Sequence, residues 1–311
     1  MLVKTRVLVT GGAGFIGSHL VDELIERGHD VIVIDNLSSG RKENLNPKAK
    51  FYQVDICSKK ELEAVFKKNK IDYVMHLAAQ ISVVASMQEP DYDAQVNILG
   101  TINVLECCRK YGIKKIIYAS SGGAIHGEPQ YLPMNESHPI APMCPYGLSK
   151  YASELYLALY QKLYGLTYTI LRYSNVYGPR QDPYGEAGVV AIFTQKLLDN
   201  KKPTIFGDGK QTRDFIYVKD VAAANICALE KGDNDAYNIS TGKQTSVNQI
   251  FGMLQQITKR NNITPVHKKE RCGEIRFCSI DYSKAKKELG WKPKTEISAG
   301  MKATVDYFKK K

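Results

Sequence analysis

Short apolar runs alternate with helical periodicities through the first half of this chain. Val7-Leu8-Val9, Val31-Ile32-Val33-Ile34, Phe51-Tyr52-Gln53-Val54, Tyr73-Val74-Met75-His76-Leu77, Ile116-Ile117-Tyr118 and Tyr168-Thr169-Ile170-Leu171 read as strands. Between them, the pattern predicts helices near residues 15–28, 59–69, 93–111 and 146–164. Ser58-Lys59-Lys60-Glu61 has the spacing of a capping box at the start of the second helix. Strands alternating with helices predict an α/β fold: a doubly wound parallel sheet with ligands at the carboxyl ends of its strands.

After about residue 175 the rhythm breaks. A Gly/Pro-rich stretch, Tyr177-Gly178-Pro179-Arg180-Gln181-Asp182-Pro183, leads to a helical segment from Val189, and Gly207-Asp208-Gly209 marks a turn. This divides the chain into a first domain over 1–175 and a smaller C-terminal α/β domain over 176–311, with 215–230 packing back on the first.

Composition changes this picture little. At 311 residues, 43% hydrophobic and 24% charged, the chain reads as a soluble globular protein able to bury a large core. The start, Met1-Leu2-Val3-Lys4-Thr5-Arg6, runs directly into a strand and suggests no signal peptide, and no apolar run reaches membrane-spanning length. Seven cysteines without Cys-x-x-Cys spacing suit a reducing cytoplasm. The net charge of +11 comes from scattered lysines that thicken only toward the C-terminus, without interleaved aromatic residues. That excludes a nucleic-acid binder of the single-strand type and leaves a solvated surface with a few arginines for an acidic ligand.

Candidate chemistry begins at Thr10-Gly11-Gly12-Ala13-Gly14-Phe15-Ile16-Gly17, which follows a strand and opens a helix, as a pyrophosphate cradle requires. Asp35 ends the second strand, placed to accept from a ribose 2′-hydroxyl and to repel a 2′-phosphate; this favours NAD over NADP, although Arg41 lies nearby. Tyr146 and Lys150, four apart at the start of a helix, share one face. An ammonium there favours the phenolate, and lowering a phenol's pKa by three units would take about 4 kcal/mol. His76, in an apolar strand with no second histidine to share a metal, reads as a core residue. Thr241-Gly242-Lys243 lacks the rest of a phosphate loop.

The glycine spacing joined to Tyr146-x-x-x-Lys150 is that of the short-chain dehydrogenase/reductase superfamily. His76-Leu77-Ala78-Ala79-Gln80, Asn97, Leu171-Arg172-Tyr173-Ser174-Asn175-Val176-Tyr177-Gly178-Pro179 and Arg213-Asp214-Phe215 match its extended branch. Over its whole length the chain resembles the UDP-glucose/UDP-galactose 4-epimerases. The resemblance implies a Rossmann-type first domain holding NAD tightly, regenerated at each turnover, and a second domain gripping a UDP-sugar. Gly11, Gly14, Phe15, Ile16 and Gly17 would surround the cofactor with Asp35, Asn36 and Gly40, and Asp55 and Ile56 would flank the adenine. Leu77, Ala78, Ala79 and Gln80 would line the pyrophosphate and nicotinamide ribose, with Asn97 and Tyr173 close by. Tyr146 would take the proton from the sugar 4-hydroxyl as hydride leaves for NAD. The 4-keto sugar would rotate and be reduced on its other face, with Lys150 lowering the tyrosine pKa. Asn175, Val189, Thr204, Phe206, Arg213, Arg271, Glu274 and Cys278 would bind the UDP-sugar, and helices 93–111 and 146–164 would pair into a homodimer.

The sequence departs from the family where relatives carry a serine or threonine four residues before a tyrosine. Those positions are Gly122 and His126 here, so Ser121 becomes the candidate hydroxyl and Ser120 the fallback, both also near substrate; the Gly122-Gly123 pair permits the rearrangement this needs. The dehydratases' acid pair and the decarboxylases' glutamate are replaced by Gly123 and Ala124, which argues for simple hydride return. Cys278 stands where relatives restricted to unsubstituted hexoses have tyrosine, implying room for a 2-acetamido group. The alternatives are a UDP-glucuronate 4-epimerase or related nucleotide-sugar enzyme, and a catalytically silent NAD-binding regulator.

Overall fold

The computed structural model describes residues 5–184, 188–270 and 275–310. Every strand expected in the first half forms: β1 (Arg6–Thr10), β2 (Asp30–Asp35), β3 (Lys50–Gln53), β4 (Tyr73–His76), β5 (Lys115–Ser121) and β6 (Thr167–Tyr173). The helices between them are α1 (Phe15–Glu26), α2 (Lys59–Lys68), α3 (Val83–Gln88), α4 (Pro90–Ala94), α5 (Gly100–Lys110), α6 (Gly122–His126) and α7 (Pro145–Tyr164). The helix expected over 93–111 is thus α4 continuing through one π turn, Gln95–Leu99, into α5. Ser58 precedes α2, but its hydroxyl makes no cap bond; its ψ of 81° lies away from the extended N-cap geometry. The capping box forms instead at Ser246 and Gln249, ahead of a later helix.

Beyond β6 come β7 (Asn175–Tyr177), α8 (Val189–Leu198), β8 (Thr204–Phe206), β9 (Thr212–Arg213), β10 (Phe215–Tyr217), α9 (Val218–Glu230), β11 (Asp235–Ile239), β12 (Thr245–Ser246), α10 (Val247–Thr258), β13 (Val266–Lys268) and α11 (Ile297–Phe308). β11 pairs parallel with β6 and completes a seven-stranded sheet in the order β11-β6-β5-β4-β1-β2-β3. This is a Rossmann-type doubly wound arrangement. The chain leaves β1 outward through β2 and β3, then returns to β4, and the reversal opens a crevice at the carboxyl ends of β1 and β4.

Both faces are covered, and the period of two sorts side chains between them. Val7 and Val9 pack with Leu20 and Leu24 of α1 and with Val221 and Ala224 of α9. Leu8 points the other way, into Leu62 and Phe66 of α2, Leu105 of α5 and Leu157 of α7. A separate core joins Phe193 and Leu197 of α8 to Ile250 and Leu254 of α10, Val305 of α11 and Tyr177.

Candidate active site

The β1/β4 crevice is a cavity of about 440 Å³. Its walls include Gly11, Phe15, Ile16, Gly17, Asp35, Asn36, Asp55, Ile56, Leu77, Ala78, Ala79, Gln80, Tyr146, Lys150 and Tyr173, which the sequence had placed at the cofactor. Gly11 adopts φ +71°, and a Cβ there would lie 2.8 Å from the Ala78 nitrogen. On Gly17 a Cβ would meet the Gly11 carbonyl oxygen at 2.1 Å. Both glycines are therefore required, one by conformation and one by the close approach of helix to turn. Gly14 caps α1 without a side-chain bond, which leaves the first-turn amides for an anion.

Asp35 is buried, accepting from the Ala13 nitrogen at 3.0 Å and the Leu37 nitrogen at 2.8 Å. Burial raises its pKa, opposed by those two bonds. Gly40 stands behind it rather than in the wall: a Cβ there would lie 2.6 Å from Asp35 Oδ1. Asp55 does more than border the expected adenine site. It lines the cavity, accepts from Asn36 Nδ2 at 2.8 Å and holds the Cys57 nitrogen at 2.7 Å before α2. A glycine cradle, an uncapped helix start and a carboxylate at the tip of β2 fit a dinucleotide.

Asn97 is outside the cavity wall and positions it. Fully buried on the π turn, it accepts from the Gln80 nitrogen at 2.9 Å and donates to the Gln80 carbonyl at 3.0 Å and to Ser149 Oγ at 3.1 Å. It thereby ties the strip after β4 to the catalytic helix α7. His76 is a satisfied core residue between the Thr10 and Thr101 hydroxyls, at 2.7 and 3.0 Å. Burial, with the Lys150 charge, pulls its pKa down to about 3.

Tyr146 and Lys150 both face the cavity from the first turns of α7. Here the electrostatics differ from the expectation. Burial pushes the Tyr146 phenol up to about 12, and the approach of the Ser121 hydroxyl lowers it only in part. Lys150 is itself buried and pulled down to about 8, with Glu154 and Asp93 resisting the fall; its ammonium rests 4.5 Å from the centre of the Tyr118 ring. Burial dominates the phenol, and what opposes it is the Ser121 hydroxyl rather than the lysine.

The two serines separate. Ser120 Oγ donates to Glu154 Oε1 at 2.6 Å, while Arg172 clamps the same carboxylate at 2.6 and 3.1 Å. Ser121, one residue on, is the one beside Tyr146. Neither Gly122 nor Gly123 has a positive φ, so the expected backbone rearrangement is not what the pair provides. At Gly122 a Cβ would lie 2.5 Å from Ile280 Cδ1, so a side chain there would require that methyl to shift. His126 is fully buried against His138 rather than facing the cavity.

Of the residues expected at the sugar, Ser120 and Tyr146 line this cavity, while Ser121 and the residues expected at the nucleotide lie outside its wall. Asn175, Val189, Thr204 and Phe206 sit on or at the starts of β7, α8 and β8. Arg213 donates to the Thr212 carbonyl at 2.8 Å, and Cys278 is buried beside the Gly123 turn, 3.3 Å from where a Cβ would be. Arg271 and Glu274 lie outside the described residues. Thr241 and Gly242 close on a carboxylate instead of a phosphate: their amides and the Thr241 hydroxyl donate to buried Asp214, whose pKa burial raises to about 6.

Sequence reasoning missed Asp93, Glu154 and the run Arg180-Gln181-Asp182, of which the last three line the cavity. The only signal was the Gly/Pro-rich context of residues 177–183, which marks a loop without saying what it covers.

A sequence model of the NAD-dependent epimerase/dehydratase family matches residues 7–240. A putative UDP-glucose 4-epimerase of Methanocaldococcus jannaschii is 54% identical, over 97% of this chain and 98% of that protein. The crystal structure of Thermotoga maritima UDP-glucose 4-epimerase with UDP-glucose superposes with a TM-score of 0.97 at 53% identity, covering 98% of this chain and 99% of that one. The UDP-N-acetylglucosamine 4-epimerase of Methanobrevibacter ruminantium, in complex with UDP-N-acetylmuramic acid, superposes at 0.93 with 38% identity and 99% of both chains covered.

Proposed function

The chain belongs to the NAD-dependent epimerase/dehydratase family, and from that premise we propose that it interconverts the C4 epimers of UDP-glucose and UDP-galactose, with UDP-N-acetylhexosamines accepted as well. The observation that carries this reading is the Tyr146–Ser121 pair at the cavity edge, with Gly123 and Ala124 following where a water-eliminating acid would stand. NAD, when bound, supplies a hydride acceptor and donor and a positive ring charge. Tyr146 takes the proton from the sugar 4-hydroxyl and returns it, and Ser121 hydrogen-bonds both oxygens. A phenol at about 12 must be ionised before it can accept a proton near neutrality; that takes added positive charge, which in this reading the bound cofactor ring and Lys150 would supply. Gly123 and Ala124 cannot act as acids, so in this reading elimination of water is not supported and epimerisation is the remaining course. Arg213, Arg271, Asn175, Val189, Thr204, Phe206 and Glu274 bind the nucleotide in this reading, which rests for them on motif position. The division at 175 separates most of the cofactor wall from the sugar-binding residues, with Arg180, Gln181 and Asp182 crossing back to the cofactor side. In this reading the small thiol of Cys278, buried against Gly123, stands in place of a tyrosine that would block a 2-acetamido group.

A homodimer completes the reading. Leu148, Leu155, Leu159 and Leu163 form one exposed stripe on α7 beside exposed Leu99, an apolar face of the kind that marks a partner surface. Sedimentation should give twice the chain mass.

The test is incubation with a panel of UDP-hexoses, UDP-N-acetylhexosamines and UDP-glucuronate, with the 4-epimers resolved by chromatography. Interconversion of the hexose and N-acetylhexosamine pairs is expected; none anywhere rules out an epimerase. Tyr146→Phe should abolish turnover while the protein keeps its NAD. Cys278→Tyr should lower N-acetylated turnover relative to UDP-galactose, and an unchanged ratio removes the acetamido argument.

A further inference from the structure

We propose that residues 179–182 form a clasp that holds the dinucleotide in its cavity, with Arg180 as a cofactor-binding cation and the Asp182–Arg41 ion pair as the catch. The segment belongs to the second half of the chain. Yet Arg180, Gln181 and Asp182 line the same cavity as Gly11, Phe15, Gly17 and Arg41.

Three ties fasten it across the opening. His19 Nε2 donates to the Pro179 carbonyl at 2.9 Å, and Arg180 Nη2 meets Asp22 Oδ2 at 2.8 Å, both on α1. Arg41 Nη2 meets Asp182 Oδ2 at 3.1 Å, beyond β2 and near Asp35. The ties therefore reach from the phosphate end of the cavity to its ribose end. Burial pulls His19 down to about 4, so its ring stays neutral and keeps donating through the physiological range.

Arg180 shows two signs of work beyond holding the loop. Its φ of +69° lies in the left-handed region, unusual for a residue with a side chain. Its Nη1 is shielded from water and has no hydrogen-bond partner among the described residues, although Nη2 is satisfied by Asp22. A buried guanidinium nitrogen without an acceptor calls for one, and a pyrophosphate at the uncapped start of α1 is a matching anion. The catch has a second consequence. While Asp182 holds Arg41, that guanidinium is not free to receive a 2′-phosphate, and the bias toward NAD set by Asp35 is reinforced.

Exchange of bound NAD for fluorescent etheno-NAD in the purified holoenzyme, without sugar, tests the clasp. Arg180→Leu should release NAD at least about tenfold faster, as for the loss of one charged hydrogen bond. Asp182→Asn and Arg41→Ala each act on a half-exposed pair, so each should speed release by roughly threefold, and the double variant no more than either alone. Release within twofold of wild type in all the variants overturns the proposal, and additive effects in the double variant overturn the catch. If Arg180→Leu does not fold, the Asp182/Arg41 cycle decides alone. Melting temperatures in saturating NAD separate release from unfolding: variants that melt as wild type but release faster support the clasp, and faster release matched by general destabilisation overturns it. Because no sugar is present, the result is independent of the epimerase assay.

Discussion

Gly122 occupies the position where the family resemblance leads one to expect a hydroxyl residue, and packing resists a side chain there. An alanine Cβ would sit 2.5 Å from Ile280 Cδ1, roughly 1 Å inside a comfortable carbon–carbon contact. Ile280 is 1% exposed and packed with Met134 and Cys278, so its methyl has little room to yield. Overpacking of this kind costs about 1–3 kcal/mol. Alanine's helix propensity over glycine returns at most about 1 kcal/mol, so Gly122→Ala should destabilise by about 1–2 kcal/mol. Ile280→Val deletes the clashing methyl and by itself costs about 0.5–1.5 kcal/mol. If the collision is the cause, adding Gly122→Ala to Ile280→Val should cost nothing further. The favourable coupling would then be about 1–2 kcal/mol. Urea unfolding of the four proteins at one fixed NAD concentration measures it, and strictly additive free energies refute the packing argument.

Two further outcomes follow from buried charge. Lys150 is pulled down to about 8 from its ordinary 10.5, which corresponds to about 3 kcal/mol against folding. The folded chain binds that proton less tightly, so the penalty is complete below pH 8 and fades as pH rises toward 10.5. NAD-stripped Lys150→Met should therefore melt higher than wild type at pH 7 and lose its advantage toward pH 10.5; a pH-independent difference would contradict this. Arg172→Leu leaves the buried Glu154 carboxylate with Ser120 alone and should cost about 3–5 kcal/mol in a denaturant titration. A loss below about 1 kcal/mol would show that water replaces the arginine.

The first six strands and the helices α1, α2, α5 and α7 were legible because each carries its own apolar pattern, readable within a few residues; the short α3 and α6 were not. β11 was not. Asp235-Ala236-Tyr237-Asn238-Ile239 has no apolar run, and it becomes a strand because the edge of β6 offers unpaired backbone groups beside it. The cavity wall was likewise readable where a motif requires it, as at Gly11, Gly17 and Asp35. It was not readable at Arg180 and Asp182, which reach the cofactor region only through a fold that brings residues more than a hundred apart together.

Sequence by itself determined the doubly wound fold, the dinucleotide turn and the spacing that puts Tyr146 and Lys150 on one helix face, because these depend on local periodicity and local backbone conformation. Tertiary structure alone decided between Ser120 and Ser121. Successive residues of a strand face different neighbours, and only packing says that one faces the Glu154–Arg172 pair and the other Tyr146. It also decided the state of Tyr146 and Lys150. Spacing puts both side chains on one helix face, but burial, a property of the whole fold, raises the phenol and lowers the ammonium.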